Sequence, residues 1–131
     1  MTVVATSTSA SVDISGKGAG TLTITVECNE DSSLTATKTY TKYGVVLGDD
    51  WTEGTDTISV DVTTNGTLTT SATYLADGAQ IGDEVDISSD VTIENDTISI
   101  DITGLSAGVV TLTTGVSQDA NVAESKTYTI I

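Results

Sequence analysis

The chain of 131 residues contains no proline, phenylalanine, histidine or arginine, one cysteine, and four lysines. Each absence removes a class of function. Without histidine there is no Ser–His or Cys–His pair for nucleophilic catalysis. Without arginine there is no planar fork for phosphate or carboxylate recognition. A pair of carboxylates could still serve a glycosidase, but nineteen scattered acids supply many accidental pairs and the sequence marks none of them. The expectation is a protein without enzymatic activity and without a cofactor. Cys28 has no partner for an intrachain disulfide; in "TITVECN" it reads as a small, partly buried residue near a strand end. No segment approaches the ~20 apolar residues of a membrane helix. The opening "MTVVATSTSASVDIS" lacks the basic region and apolar run of a secretory signal.

Positive charge is also scarce. Only Lys17, Lys38, Lys42 and Lys126 oppose the acids, and the formal net charge is −15. Such a field repels phosphate backbones, which need cations to displace their counterions, and it repels anionic membrane surfaces. The sequence therefore predicts neither nucleic-acid binding nor membrane insertion. A surface-protein composition with no export signal fits two settings: a protein released with a virus particle, or a piece of a larger exported protein.

What the chain does contain is threonine, at 27 positions, with serine at 14. Together with valine and isoleucine, this β-branched excess argues for strands. "TLTITVE" (21–27), "TISVDV" (57–62) and "TISIDI" (97–102) alternate apolar and polar residues with period two. Weaker candidates are "TVVATST", "SASVDIS", "LTATKTYTK", "GTLTTSATYL", "EVDIS", "VTI", "VVTLTT" and "ESKTYTII". Turn chemistry separates them, as in "NEDSS", "GDDWTEG", "TTNG", "ADGAQIGDE", "END", "GLSAG" and "SQDANVA". Short strands with frequent turns predict an all-β antiparallel sandwich or barrel.

The chain also repeats itself. Residues 10–43 align without a gap on 98–131, and 13 of the 34 positions are identical: Ser11, Asp13, Ile14, Gly16, Ala19, Gly20, Thr23, Thr25, Asp31, Lys38, Thr39, Tyr40 and Thr41. Composition explains a partial echo such as "SVDVT" at 59–63, but not a gapless match of this length; internal duplication does.

The C-terminal copy, "DTISIDITGLSAGVVTLTTGVSQDANVAESKTYTI", resembles the last three strands of bacterial immunoglobulin-like domains. The features that carry the resemblance are the corner Gly104-Leu105, Gly108 opening a Thr-alternating strand, the loop with Asp119 and Asn121, and the closing run Lys126 to Thr129. The resemblance is strongest over residues 96–131 and loose over 45–94. It departs from the family pattern at Val109 and Val110, where an aromatic is usual. It implies an immunoglobulin-like β-sandwich and a role as spacer, adhesin stalk or phage decoration; such a fold does not by itself decide among them. A sandwich of this kind needs about 100 residues. The expected organisation is thus a β-sandwich domain over residues 45–131, preceded by a half-repeat of strands over residues 1–44. That half must pack on the complete domain or find strands in another subunit, because alone it leaves strand edges open. The alternative organisation merges all strands into one enlarged sandwich.

Three side-chain groups stand out as candidate sites. Asp49, Asp50 and Asp56, with Glu53, lie in one acidic stretch, and Asp83 and Asp86, with Glu84 and Asp90, in another. Calcium takes six to eight oxygens from such loops. Neither stretch has a known calcium-loop spacing, and solvated acids that keep the protein soluble explain both. Trp51, with Tyr43 nearby in sequence, could anchor a partner or stack on a sugar; packing at one end of the core is the plainer account. Rows of TxT suggest ice binding, but they are irregularly spaced and interrupted by Asp and Lys. Thr on the solvent face of an antiparallel sheet accounts for them.

The sequence thus predicts a non-enzymatic structural protein of a virus particle, a capsid decoration or fibre component. It would attach to protein partners through β-surfaces and form homo-oligomers on the virion surface. The alternatives are an adhesin module of the bacterial cell surface and a carbohydrate-binding module.

Overall fold

The computed structural model describes residues 2–6 and 8–131. The chain divides into two compact units, one ending at Lys42 and the other spanning Tyr43–Ile131. All strand pairings are antiparallel.

The first unit consists of two hairpins. β1 (Thr2–Ala5) pairs with β2 (Ala10–Asp13), and β3 (Gly20–Cys28) with β4 (Asp31–Lys42). The Thr-rich alternation fits a pleated strand, and Asp31 fixes the start of β4. Its carboxylate accepts the Ser33 amide at 3.0 Å and the Ser33 hydroxyl at 2.7 Å. Between the hairpins the chain reverses through Gly16, whose φ of 75° suits a residue without Cβ. No described residue of this unit is fully buried; Val12, Leu22 and Ile24 are half-buried.

The second unit is a sandwich of two antiparallel sheets. Its strands are β5 (Val45–Leu47), β6 (Thr52–Glu53), β7 (Thr57–Thr64), β8 (Leu68–Ala76), β9 (Val85–Asp86), β10 (Val91–Glu94), β11 (Thr97–Asp101), β12 (Gly108–Val116) and β13 (Asp119–Ile130). A short 3-10 turn, Ser88–Asp90, precedes β10. One sheet has the order β10-β11-β7-β5, with β6 also on β7; the other has the order β13-β12-β8-β9. Period-two alternation turns Ile58, Val60 and Val62 of β7 and Ile98 and Ile100 of β11 inward. They meet Ala72 and Tyr74 of β8 and Val110 and Leu112 of β12. Burying each Ile, Val or Leu contributes about 1.5–3 kcal/mol, and every fully buried residue among those described lies in this unit. The sequence boundary at 44/45 shifts slightly. Tyr43 and Gly44 belong with the sandwich, where the Gly44 amide donates to Asn65 Oδ1 at 3.0 Å and Thr64 Oγ1 donates to the Gly44 carbonyl at 2.7 Å.

The segment after β5 ties the two sheets together along β13. The Leu47 amide donates to Glu124 at 3.1 Å, Lys126 Nζ to the Asp49 carbonyl at 2.7 Å, and Trp51 Nε1 to the Thr127 carbonyl at 2.8 Å. These contacts rise together in number, so the segment runs in the same direction as β13.

Candidate functional site

The repeat seen in the sequence is also a repeat of backbone pairing. Adding 88 to the residue numbers of the first unit reproduces the register of β10 to β13. Val3↔Val12 becomes Val91↔Ile100, and Gly20↔Lys42 becomes Gly108↔Ile130. The bulge at Glu27/Cys28 becomes the bulge at Gly115/Val116. The turns match as well. Gly16 and Gly104 have φ of 75° and 78°, and each turn closes with a 3.1 Å bond, Lys17 amide to Ile14 carbonyl and Leu105 amide to Ile102 carbonyl. Asp13 accepts the Ser15 amide and Asp101 the Thr103 amide, both at 2.9 Å. The first unit therefore carries counterparts of the four closing strands of the second unit, two from each of its sheets.

The opening strands have no counterpart there. In the second unit β11 is flanked on its other edge by β7, and β12 by β8. Their counterparts β2 and β3 pair only with β1 and β4 among the described residues. Two adjacent edges thus carry unpaired main-chain donors and acceptors beside a half-covered apolar face. Such edges are templates for strand addition. Val3, Val4, Val26, Leu34 and Tyr40 of this unit are largely exposed. The charge is also uneven. The first unit has four acids and three lysines, a formal −1; the second has fifteen acids and one lysine, a formal −14. The nearly neutral unit is the one whose β2 and β3 lack the neighbours that their counterparts β11 and β12 have.

The acidic candidates are dispersed into local roles. The Asp49 and Asp56 carbonyls accept from Lys126 and from the Ile102 amide. Glu53 accepts the Tyr128 hydroxyl at 2.9 Å, which pushes the Tyr128 pKa up. The Asp83 amide donates to the Gln80 carbonyl, and Glu84 accepts the Gly82 amide. Asp86 accepts the Ser88 hydroxyl at 2.6 Å and its amide at 2.9 Å, and these bonds hold its carboxyl below the ordinary range. Asp13, Asp31 and Asp101 are lowered the same way, by the hydroxyl and then the amide two residues on. Among the described residues, no three Cys, Asp or Glu side chains converge on a point that could hold a metal. Asp50 is exposed.

Trp51 is engaged within its own unit. It packs against the core and meets the Tyr128 ring edge-on, with centroids 5.9 Å apart and planes at 70°. Tyr43 is half-buried beside Gly66, where an added Cβ would stand 3.0 Å from its ring. The feature that sequence reasoning missed is which edges stay open; the signal was present in the repeat, which begins after the residues that supply β7 and β8.

Comparison with protein-family models, curated proteins and solved structures found no match.

Proposed function

We propose that the chain is a non-enzymatic structural protein that joins a larger assembly through residues 2–42, as a decoration or fibre component of a virus particle. The observation that carries this reading is the first unit itself, a set of closing strands with, among the described residues, two unpaired edges and no fully buried residue. Such an element is stabilised by gaining strands, so its natural use is attachment. The acidic second unit, proposed to be an immunoglobulin-like sandwich, would face solvent and keep the assembled protein soluble through its charge. The absence of histidine and arginine supports a role without catalysis. One observation favours the bacterial-surface reading: an 88-residue offset, close to the length of the second unit, also suits tandem domains of an adhesin.

Light scattering over a range of concentrations tests the assembly role, using the full chain and residues 43–131, which contain the whole buried core. Co-sedimentation with virus particles tests the setting. Assembly or particle binding by the full chain, lost on removal of residues 1–42, is the expected result. Equal behaviour of both proteins overturns the attachment role.

A further inference from the structure

The second unit holds a filled copy of the arrangement that the first unit leaves open, so it specifies the missing piece. β7 and β8 are consecutive strands that cross from one sheet to the other, β7 along β11 and β8 along β12, and they turn Ile58, Val60, Val62, Ala72 and Tyr74 inward. In the first unit the counterparts of the fully buried Ile100, Val110 and Leu112 are Val12, Leu22 and Ile24. All three are only half-buried.

The place of Tyr74 is the most specific feature. Tyr74 stands opposite Val110, and its hydroxyl donates to the Ser106 carbonyl at 2.8 Å. Its ring covers Gly108. A Cβ there would come within 2.8 Å of Tyr74 Cε2 and 2.9 Å of Ala76 Cα, and would also strike the Leu75 carbonyl. Glycine is thus required at 108 by β8, the strand that β12 accepts. At the matching Gly20, an added Cβ would find no atom within 4 Å. Instead, Gly18, Gly20 and Leu22, the counterparts of Ser106, Gly108 and Val110, line an open pocket of about 270 Å³ together with Ile14 and Tyr40.

We infer that the first unit docks two consecutive strands of the β7–β8 kind, one for each sheet, supplied from outside residues 1–131. One strand would lie along β2 and the other along β3, with Ile and Val alternating inward and a tyrosine ring seated over Gly20. This inference rests on the reading of residues 2–42 as an assembly element and names its partner.

The chain's own β7 and β8 are not the occupant, because β11 and β12 already hold them. Nor can their segment reach. The segment after β5 runs in the direction of β13, which places its start far from the end of that strand. Lys42 corresponds to Ile130 at that end, and the three steps from Lys42 to Val45 span only about 10 Å. Exchange with a second copy does not close the account either, since each chain carries two closing halves and one opening segment. Two first units joined edge to edge would contribute the small Ala10 and Val12 twice and no aromatic ring in place of Tyr74. Charge raises no obstacle. Residues 57–76 hold one acid, Asp61, and the first unit stands at −1 with three lysines, so it repels such a pair of strands little.

The test is a fluorescein-labelled peptide of residues 57–76, titrated with the full chain and followed by anisotropy, with hydrogen exchange to locate it. Saturable binding of one peptide per chain is expected, with new protection in β2 and β3 and none in β11 or β12. A Tyr74→Ala peptide should bind at least about tenfold more weakly. An Ile24→Asp chain that keeps its β-sheet circular dichroism should not bind. Absence of binding, protection gained at β12 instead of β3, or equal binding of the Tyr74→Ala peptide overturns the inference. So does a concentration-dependent dimer whose β2 and β3 are protected without peptide, which would make a second copy the occupant. If the chain refuses the peptide yet assembles through residues 2–42, with assembly lost in Ile24→Asp, only the β7–β8-like occupant fails. If it does neither, the assembly reading fails with it.

Discussion

Thr114 lies on β12 with its Oγ1 buried and without a hydrogen-bond partner. A buried hydroxyl in that state costs about 1–3 kcal/mol relative to a satisfied one. The matching residue of the first unit is Val26, so the repeat itself shows that valine suits the backbone. Thr114→Val is expected to stabilise the second unit by about 1 kcal/mol, measured by urea unfolding followed through Trp51 fluorescence. Asp101 carries a pH-dependent contribution of its own. The Thr103 hydroxyl, at 2.6 Å, and then the Thr103 amide favour its ionised form. A carboxylate lowered in the folded state stabilises the fold above the ordinary value of 3.8, and loses that contribution as pH falls through the lowered value. In Thr103→Ala the Asp101 pKa should rise toward 3.8, and the stability gap between the two proteins should narrow in acid. Side-chain NMR titration and acid unfolding read these two effects.

Among the elements, the strand interiors were legible because Ile, Val and Leu alternate with Thr where one sheet face is covered. Thr57–Thr64 and Thr97–Asp101 match their sequence patterns closely. Strand ends at sheet edges were not legible. "SQDANVA" and "NEDSS" read as turns, yet β13 begins at Asp119 and β4 at Asp31. Both faces there are largely exposed, so polar residues suit a strand as well as a loop. Val45–Leu47 and Thr52–Glu53 were missed for a different reason: two or three residues cannot show a period, and pairing with β7 alone makes them strands. The repeat supplies an internal control on what a second neighbour contributes. β12 is bonded on both edges and β3 on one, with matching sequence. In the unliganded monomer, amide exchange across β3 should be much faster than across β12, and the difference should be largest at amides facing the open edge. Equal protection in the two strands would mean that β3 has found a neighbour.

For the molecule as a whole, the sequence located the duplication, and the fold forms two compact units divided between Lys42 and Tyr43. The sequence also placed the second unit in the class of antiparallel sandwiches. The candidate acids and Trp51 illustrate the limit of that reading. Proximity in sequence grouped Asp49, Asp50 and Asp56, but the fold sends the Asp49 carbonyl to Lys126 of β13 and the Asp56 carbonyl to the Ile102 amide after β11. Trp51 stood out as the only tryptophan, and only the packing of β13 decided that it pairs with Tyr128.

The sequence by itself determined the antiparallel β architecture, because alternation with β-branched residues leaves a chain without proline few other ways to cover an apolar face. It also located three strands that occur twice, in residues 10–43 and 98–131; the match of β1 with β10 and the shared bulge came from the backbone pairing. Only the tertiary structure decided that one copy is closed and the other open. Closure depends on neighbours distant in the chain: β7 against β11, β8 against β12, and the Tyr74 ring against Gly108. Those contacts are set by which strands reach which edges, a property that no local pattern of residues contains.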